Sequence, residues 1–87
     1  MDIAGIFGHN LTRCRRQAGL SQEDLGYRAS LHRTEISQLE RGLRVARLDT
    51  VLKLAAVLEI DLNELVVGID WVEGGVRFGH FKEVDRG

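Results

Sequence analysis

The 87-residue chain is poor in several residue types: it has one cysteine, one tryptophan, one methionine and no proline. A lone thiol, Cys14, cannot close a disulfide within the chain. No apolar run approaches the ~20 residues that cross a bilayer. The opening "MDIAGIFGHNLTR" lacks the basic start and apolar stretch of a secretion signal, so a reducing cytoplasm is the expected setting, with no membrane contact. Internal repeats and low-complexity linkers are absent too. The histidines His9, His32 and His80 fall in different segments, and no Ser/His/Asp, HxxxH or CxxC spacing occurs. Neither an enzyme nor a metal or cofactor site is expected.

What is present is an ordinary globular composition, 44% hydrophobic and 29% charged, in a chain sized for one small domain. At this length roughly 60% of the chain's surface is buried on folding, enough for a modest helical core. The net charge of −1 conceals an asymmetry. Residues 1–47 carry eight arginines (13, 15, 16, 28, 33, 41, 44 and 47) against five acids, a balance of +3. Residues 48–87 carry four basic side chains against eight acids, a balance of −4. Arginine is the side chain best suited to forked contacts with phosphate and guanine, so a polyanion would dock at one end only.

The hydrophobic periodicity predicts five helices. Ile3, Phe7, Leu11, Cys14 and Ala18 recur at three- and four-residue steps and end at Gly19. On that face Cys14 reads as a small buried hydrophobe rather than a redox sensor. Ser21 with Asp24 forms an approximate capping box for a short second helix whose inward side is Leu25 and Ala29. A third runs from about Arg33 to Glu40 or Arg41 and stops at Gly42, and a fourth turns Leu48, Val51, Leu54, Ala55 and Leu58 inward. Asp61 and Glu64 would cap a fifth, through Val67, closed by Gly68. The tail "IDWVEGGVRFGHF" alternates around Gly74-Gly75 and reads as a two-residue hairpin, with residues 82–87 frayed.

The segment "LHRTEISQLERG", residues 31–42, has apolar side chains only at Leu31, Ile36 and Leu39. Every other position but the closing glycine can hydrogen-bond, more than solvation of an outer face requires. Two short helices joined by a tight turn, the second with a polar outer face, form a helix-turn-helix. Here the chain resembles the phage-repressor and Cro-like family, also called the xenobiotic-response-element family. The likeness is carried by "GLSQEDLGYRASLHRTEISQLERG" at 19–42 and "LDTVLKLAAVLEIDLNELV" at 48–66, with Ser21, Gln22, Leu25, Ile36, Glu40 and Gly42 as the linked set. It implies an all-α, five-helix, lambda-repressor-like DNA-binding domain over residues 1–68, with a C-terminal hairpin or tail over 69–87.

By that resemblance Arg33, Thr34 and Gln38 face the major groove, with His32 at the cap and Ser37 one turn on. An arginine fork matches both guanine acceptors, a glutamine amide matches adenine N6 and N7, and a threonine methyl can meet a thymine methyl. The bland alternative is a solvated helix face. Gln22 is the expected phosphate contact at the start of helix 2, and Arg41, Arg44 and Arg47 are the expected clamps after Gly42; the alternatives are a solvated amide and a plain solvated loop. Arg15 and Glu40 occupy the places of an architectural ion pair between helices 1 and 3. Glu35 stays open: it either accepts from cytosine N4 or pairs with a nearby arginine.

Three departures from the family pattern bear on this. Ser30 stands where the turn usually has glycine, which implies a slightly re-formed turn; Gly26 replaces alanine; and Ala46-Arg47 replaces the usual Pro-Ser start of helix 4. Such domains bind palindromic operators in double-stranded DNA as homodimers. The expected dimer surface is Leu62, Leu65, Val66, Ile69, Trp71, Val76 and Phe78, the alternative being a hairpin folded back on its own domain. Two functions from different classes follow: a repressor- or controller-type regulator, like restriction-modification controller proteins, or an antitoxin-like module whose tail grips a protein partner.

Overall fold

The computed structural model describes residues 1–74 and 79–84. Five helices and two strands follow in order: α1 (Ile3–Gln17), α2 (Gln22–Arg28), α3 (Arg33–Glu40), α4 (Leu48–Leu58), α5 (Asn63–Val66), β1 (Ile69–Val72) and β2 (His80–Glu83). Each of the first three helices begins on a side chain that accepts from an otherwise unpaired backbone N–H. Asp2 takes that of Gly5 at 2.8 Å. Ser21 and Asp24 exchange a full capping box, Asp24 N to Ser21 Oγ at 3.0 Å and Ser21 N to Asp24 Oδ2 at 3.4 Å. His32 caps α3 through Thr34 N. The start of α4, at Arg47, has no side-chain cap.

Every helix contributes to the core. Leu11, Leu25, Ile36, Leu39, Leu54 and Leu65 are its fully enclosed large side chains, each contributing about 1.5–3 kcal/mol by its burial. α1 is the spine, packing on α3 and α5. At Gly8 the chains come so close that an added Cβ would strike the carbonyl oxygens of Leu39 and Glu40, the latter at 2.7 Å. A glycine is therefore what lets the C-terminal end of α3 seat on α1. Asn10, buried on the same helix, donates to Leu65 O at 3.0 Å and Val67 O at 2.9 Å, so one amide secures both ends of the last helical turn.

Several expectations are revised. The turn between α2 and α3 is not re-formed: Ser30 itself takes the left-handed conformation, φ 56°. Its neighbour across the turn makes room, since Gly26 O accepts from Leu31 N at 2.8 Å and a Cβ on Gly26 would lie 2.7 Å from Leu31 O. Leu48 does not turn inward; it is 72% exposed at the start of α4, whose first turn buries Thr50 and Val51 instead. Ala18 is exposed beyond the end of α1. α5 is capped by Asp61 alone, which accepts from Asn63 N at 2.8 Å, because Glu64 turns away to Arg13.

The hairpin pairs Ile69 with Glu83, Asp70 with Lys82, Trp71 with Phe81 and Val72 with His80. The described pairing ends at Val72 and His80, and the expected Gly74-Gly75 turn lies partly outside the described residues; residues 82 and 83 are in the strand rather than frayed. The register sets the rings of Trp71 and Phe81 edge to face, 5.1 Å apart at 71°, an arrangement worth about 0.5–1.5 kcal/mol beyond burial. β2 lies along α1, and Val84 N closes back on Gly68 O at 2.7 Å.

Candidate nucleic-acid interface

At roughly 100° per residue, the outward positions of α3 form one stripe: Arg33, Ser37 and Arg41 along its spine, Thr34 and Gln38 beside it. Ile36 and Leu39 hold the opposite side in the core. All five expected base-facing residues are therefore brought together, with His32 at the head of the stripe. The guanidinium groups of Arg33 and Arg41 have no hydrogen-bond or ion-pair partner among the described residues, so their forks are available to a ligand. Glu35 falls on the flank, between the stripe and the buried side, and no arginine lies within ion-pair distance of it among the described residues. The arginine-paired reading of Glu35 is thus not what the structure adopts.

Behind the stripe, α3 is locked. Glu40 accepts from Arg15 Nε at 2.6 Å and Nη2 at 3.0 Å, and from Gln22 Nε2 at 3.1 Å. Arg15 spends its remaining nitrogen on Leu20 O at 2.9 Å. Burial pushes the Glu40 carboxyl up, but the hydrogen bonds from Arg15 and Gln22, with the guanidinium charge, hold it below the ordinary carboxylate range. The pair thus joins α1, the start of α2 and the end of α3. Gln22, expected to meet a phosphate, has one amide hydrogen committed to this cluster and a second left over.

The expected phosphate clamps differ among themselves. Arg44 reaches back to Gln38, Nη1 to Oε1 at 3.3 Å, so this loop residue touches the outward stripe of α3. Arg47 stands apart, sharing an exposed 3.4 Å contact with Asp49, a pair of small energetic consequence. Cys14 is enclosed, and burial raises its thiol above the ordinary value against the pull of Arg13, which keeps it protonated and unreactive.

Two features escape the sequence reading. Tyr27 is 87% exposed and, with Glu23, Leu31, His32, Arg33 and Thr34, lines an open cleft beside the head of α3. Its position between inward Leu25 and Ala29 was the available signal. A second apolar patch, Leu43, Val45, Leu48 and Leu52, lies on the loop after α3 and the outer side of α4. Of the expected dimer residues, Leu62, Val66 and Trp71 are exposed and Ile69 is half-buried, but Leu65 is wholly enclosed in its own core and offers nothing to a partner. Val76 and Phe78 lie outside the described residues.

A family model described as a helix-turn-helix domain matches residues 6–66. The chain belongs to that family. This helix-turn-helix protein is 36% identical over 77 residues to an uncharacterized HTH-type transcriptional regulator, y4dJ, of Sinorhizobium fredii, covering 88% of this chain and 100% of that one. It is 36% identical over 66 residues to control protein C.BamHI of Bacillus amyloliquefaciens, covering 75% and 82%. Among solved structures it resembles the restriction-modification controller protein C.AhdI of Aeromonas hydrophila, with a TM-score of 0.69 and 40% identity over 71% of this chain and 94% of that one. It shares with them the Cro-like helix-turn-helix fold of DNA-binding transcriptional regulators.

Proposed function

We propose that the protein is a regulator of the restriction-modification controller type, acting in the cytoplasm, which binds a palindromic operator as a homodimer with α3 in the major groove. One observation carries this reading: the outward stripe of α3 holds Arg33, Thr34, Ser37, Gln38 and Arg41 together, while Ile36, Leu39 and the Arg15–Glu40 pair fix the helix from behind. Arg33, Thr34 and Gln38, with Ser37 and His32 beside them, contact base edges. Gln22, through its second amide hydrogen, and Arg41, Arg44 and Arg47 hold phosphates and set the register. Glu35, on the flank and without an arginine, accepts from a cytosine N4.

Two recognition helices must lie about 34 Å apart to enter successive turns of one groove. Leu62, Val66, Ile69 and Trp71 supply the surface on which a second copy packs, with Val76 and Phe78 as proposed members beyond the described residues. The antitoxin-like reading has only the exposed Trp71–Phe81 pair behind it and is not adopted.

Selection of bound sites from random duplexes tests this function. The expected result is a two-fold-symmetric sequence, bound more weakly as salt rises because released counterions contribute to affinity. The absence of a retarded band with any duplex at low ionic strength would overturn it.

A further inference from the structure

The ring of His32 is engaged twice by the same neighbour. Its Nδ1 accepts from Thr34 N at 3.1 Å, capping α3, and lies 3.0 Å from Thr34 Oγ1. A nitrogen that accepts a backbone N–H carries a lone pair there and no hydrogen, so the ring proton resides on Nε2. A hydroxyl within hydrogen-bond distance of that same bare nitrogen can only donate to it. The hydroxyl hydrogen of Thr34 is therefore consumed inside the protein. What remains of this exposed side chain for a ligand is the Cγ2 methyl and an oxygen able only to accept.

Building on the DNA-reading role proposed for α3, we infer that His32 is a positioning residue that makes Thr34 read DNA through its methyl group, selecting a base pair that presents a thymine methyl. The thymine C5-methyl is the apolar mark among base-pair edges in the major groove. An unrestrained threonine would offer a rotatable hydroxyl that can donate or accept, and so would discriminate poorly. With Nδ1 holding the oxygen at the head of the helix, the side chain is restrained to one rotamer, and its methyl is oriented in advance of binding. The cap and the readout are then one device, since the lone pair that starts the helix also restrains the residue that reads.

The test is site selection from random duplexes with wild type, Thr34→Val, Thr34→Ser, His32→Ala and His32→Asn, alongside thermal unfolding of each. Valine keeps the methyl and loses the hydroxyl, so T34V should retain the thymine preference within about twofold, whereas T34S should lose it by roughly fivefold or more. H32A should weaken preference at that same base pair and leave the remaining positions as in wild type. H32N, whose side-chain oxygen accepts from both Thr34 groups, should restore it. Loss of the preference in T34V overturns the inference, because the hydroxyl would then be reading the base. So does an unchanged preference in H32A, or a folded H32N that fails to rescue. If H32A does not fold, T34V and H32N decide the matter. A wild type that selects no site at all defeats the DNA-reading function itself, whereas a wild type that selects a site while these variants behave in the opposite sense defeats only the role of His32.

Discussion

Glu40 receives Arg15 through two nitrogens, Nε at 2.6 Å and Nη2 at 3.0 Å, with both side chains largely withdrawn from water. The geometry makes the pair a brace, and breaking one side leaves a desolvated charge behind. Glu40→Gln is therefore expected to cost about 3 kcal/mol of unfolding free energy, measurable by urea denaturation at neutral pH.

The same carboxylate sets an acid limit. Its folded-state pKa is depressed, so its contribution is complete above the unfolded value of about 4.3 and is lost as pH falls through the lower folded value. Between those two values the wild-type denaturation midpoint should decline more steeply than that of E40Q. Equal slopes would show that the pair does not titrate as described.

Arg33 and Arg44 should separate by the kind of loss they cause. Arg33→Ala should relax base preference at one position per half-site by about 1–3 kcal/mol. Arg44→Ala should reduce the salt slope by about one unit. Because Arg44 also steadies the Gln38 amide at 3.3 Å, it should broaden preference at the base pair that Gln38 reads. Competition binding at two salt concentrations distinguishes these patterns; identical specificity profiles for the two mutants would refute the division of roles.

The helix-turn-helix turn offers a stability test in both directions. Ser30 holds a left-handed conformation, so Ser30→Gly should stabilise the fold by about 1 kcal/mol. Gly26→Ala should destabilise it despite alanine's better helix propensity, because its Cβ would press on Leu31 O. Thermal unfolding of the two variants gives opposite signs if the turn is as described.

Sedimentation of wild type and Trp71→Ser over a concentration series checks the dimer surface. Wild type should associate at tens of micromolar and W71S should do so more weakly. A wild type that stays monomeric ends the dimer proposal.

The helices were legible because their signals are local. Ser21 and Asp24 sit at capping distance, Ile36 and Leu39 lie on one side of a short segment, and Gly19 and Gly42 take positive φ just past α1 and α3. The outward stripe of α3 was legible for the same reason, since the inward residues of α3 dictate the outward ones. What escaped depends on contacts distant in sequence. The alternating tail pointed to a hairpin, but its register, with Trp71 opposite Phe81, is a pairing between separate segments that no local signal specifies. Leu48 fits the inward spacing of α4, yet it is exposed while Thr50 and Val51 of the same turn are buried. Leu65 and the exposed Val66 are equally apolar in sequence; the bonds from Asn10 to the Leu65 and Val67 carbonyls help clamp α5 to α1, and only the fold shows which of the two is enclosed.

The crossing at Gly8 has a mechanical consequence. α3 has eight residues, about 12 Å of helix, and Gly8 touches it at the end away from Thr34, against the carbonyls of Leu39 and Glu40. A methyl group there would act as a wedge under the short arm of a lever, tilting the far tip where Arg33 and Thr34 stand. With α3 in the DNA-reading role proposed above, sequence preference would depend on Gly8, a buried residue, and would shift on its substitution with every outward side chain of α3 left unchanged.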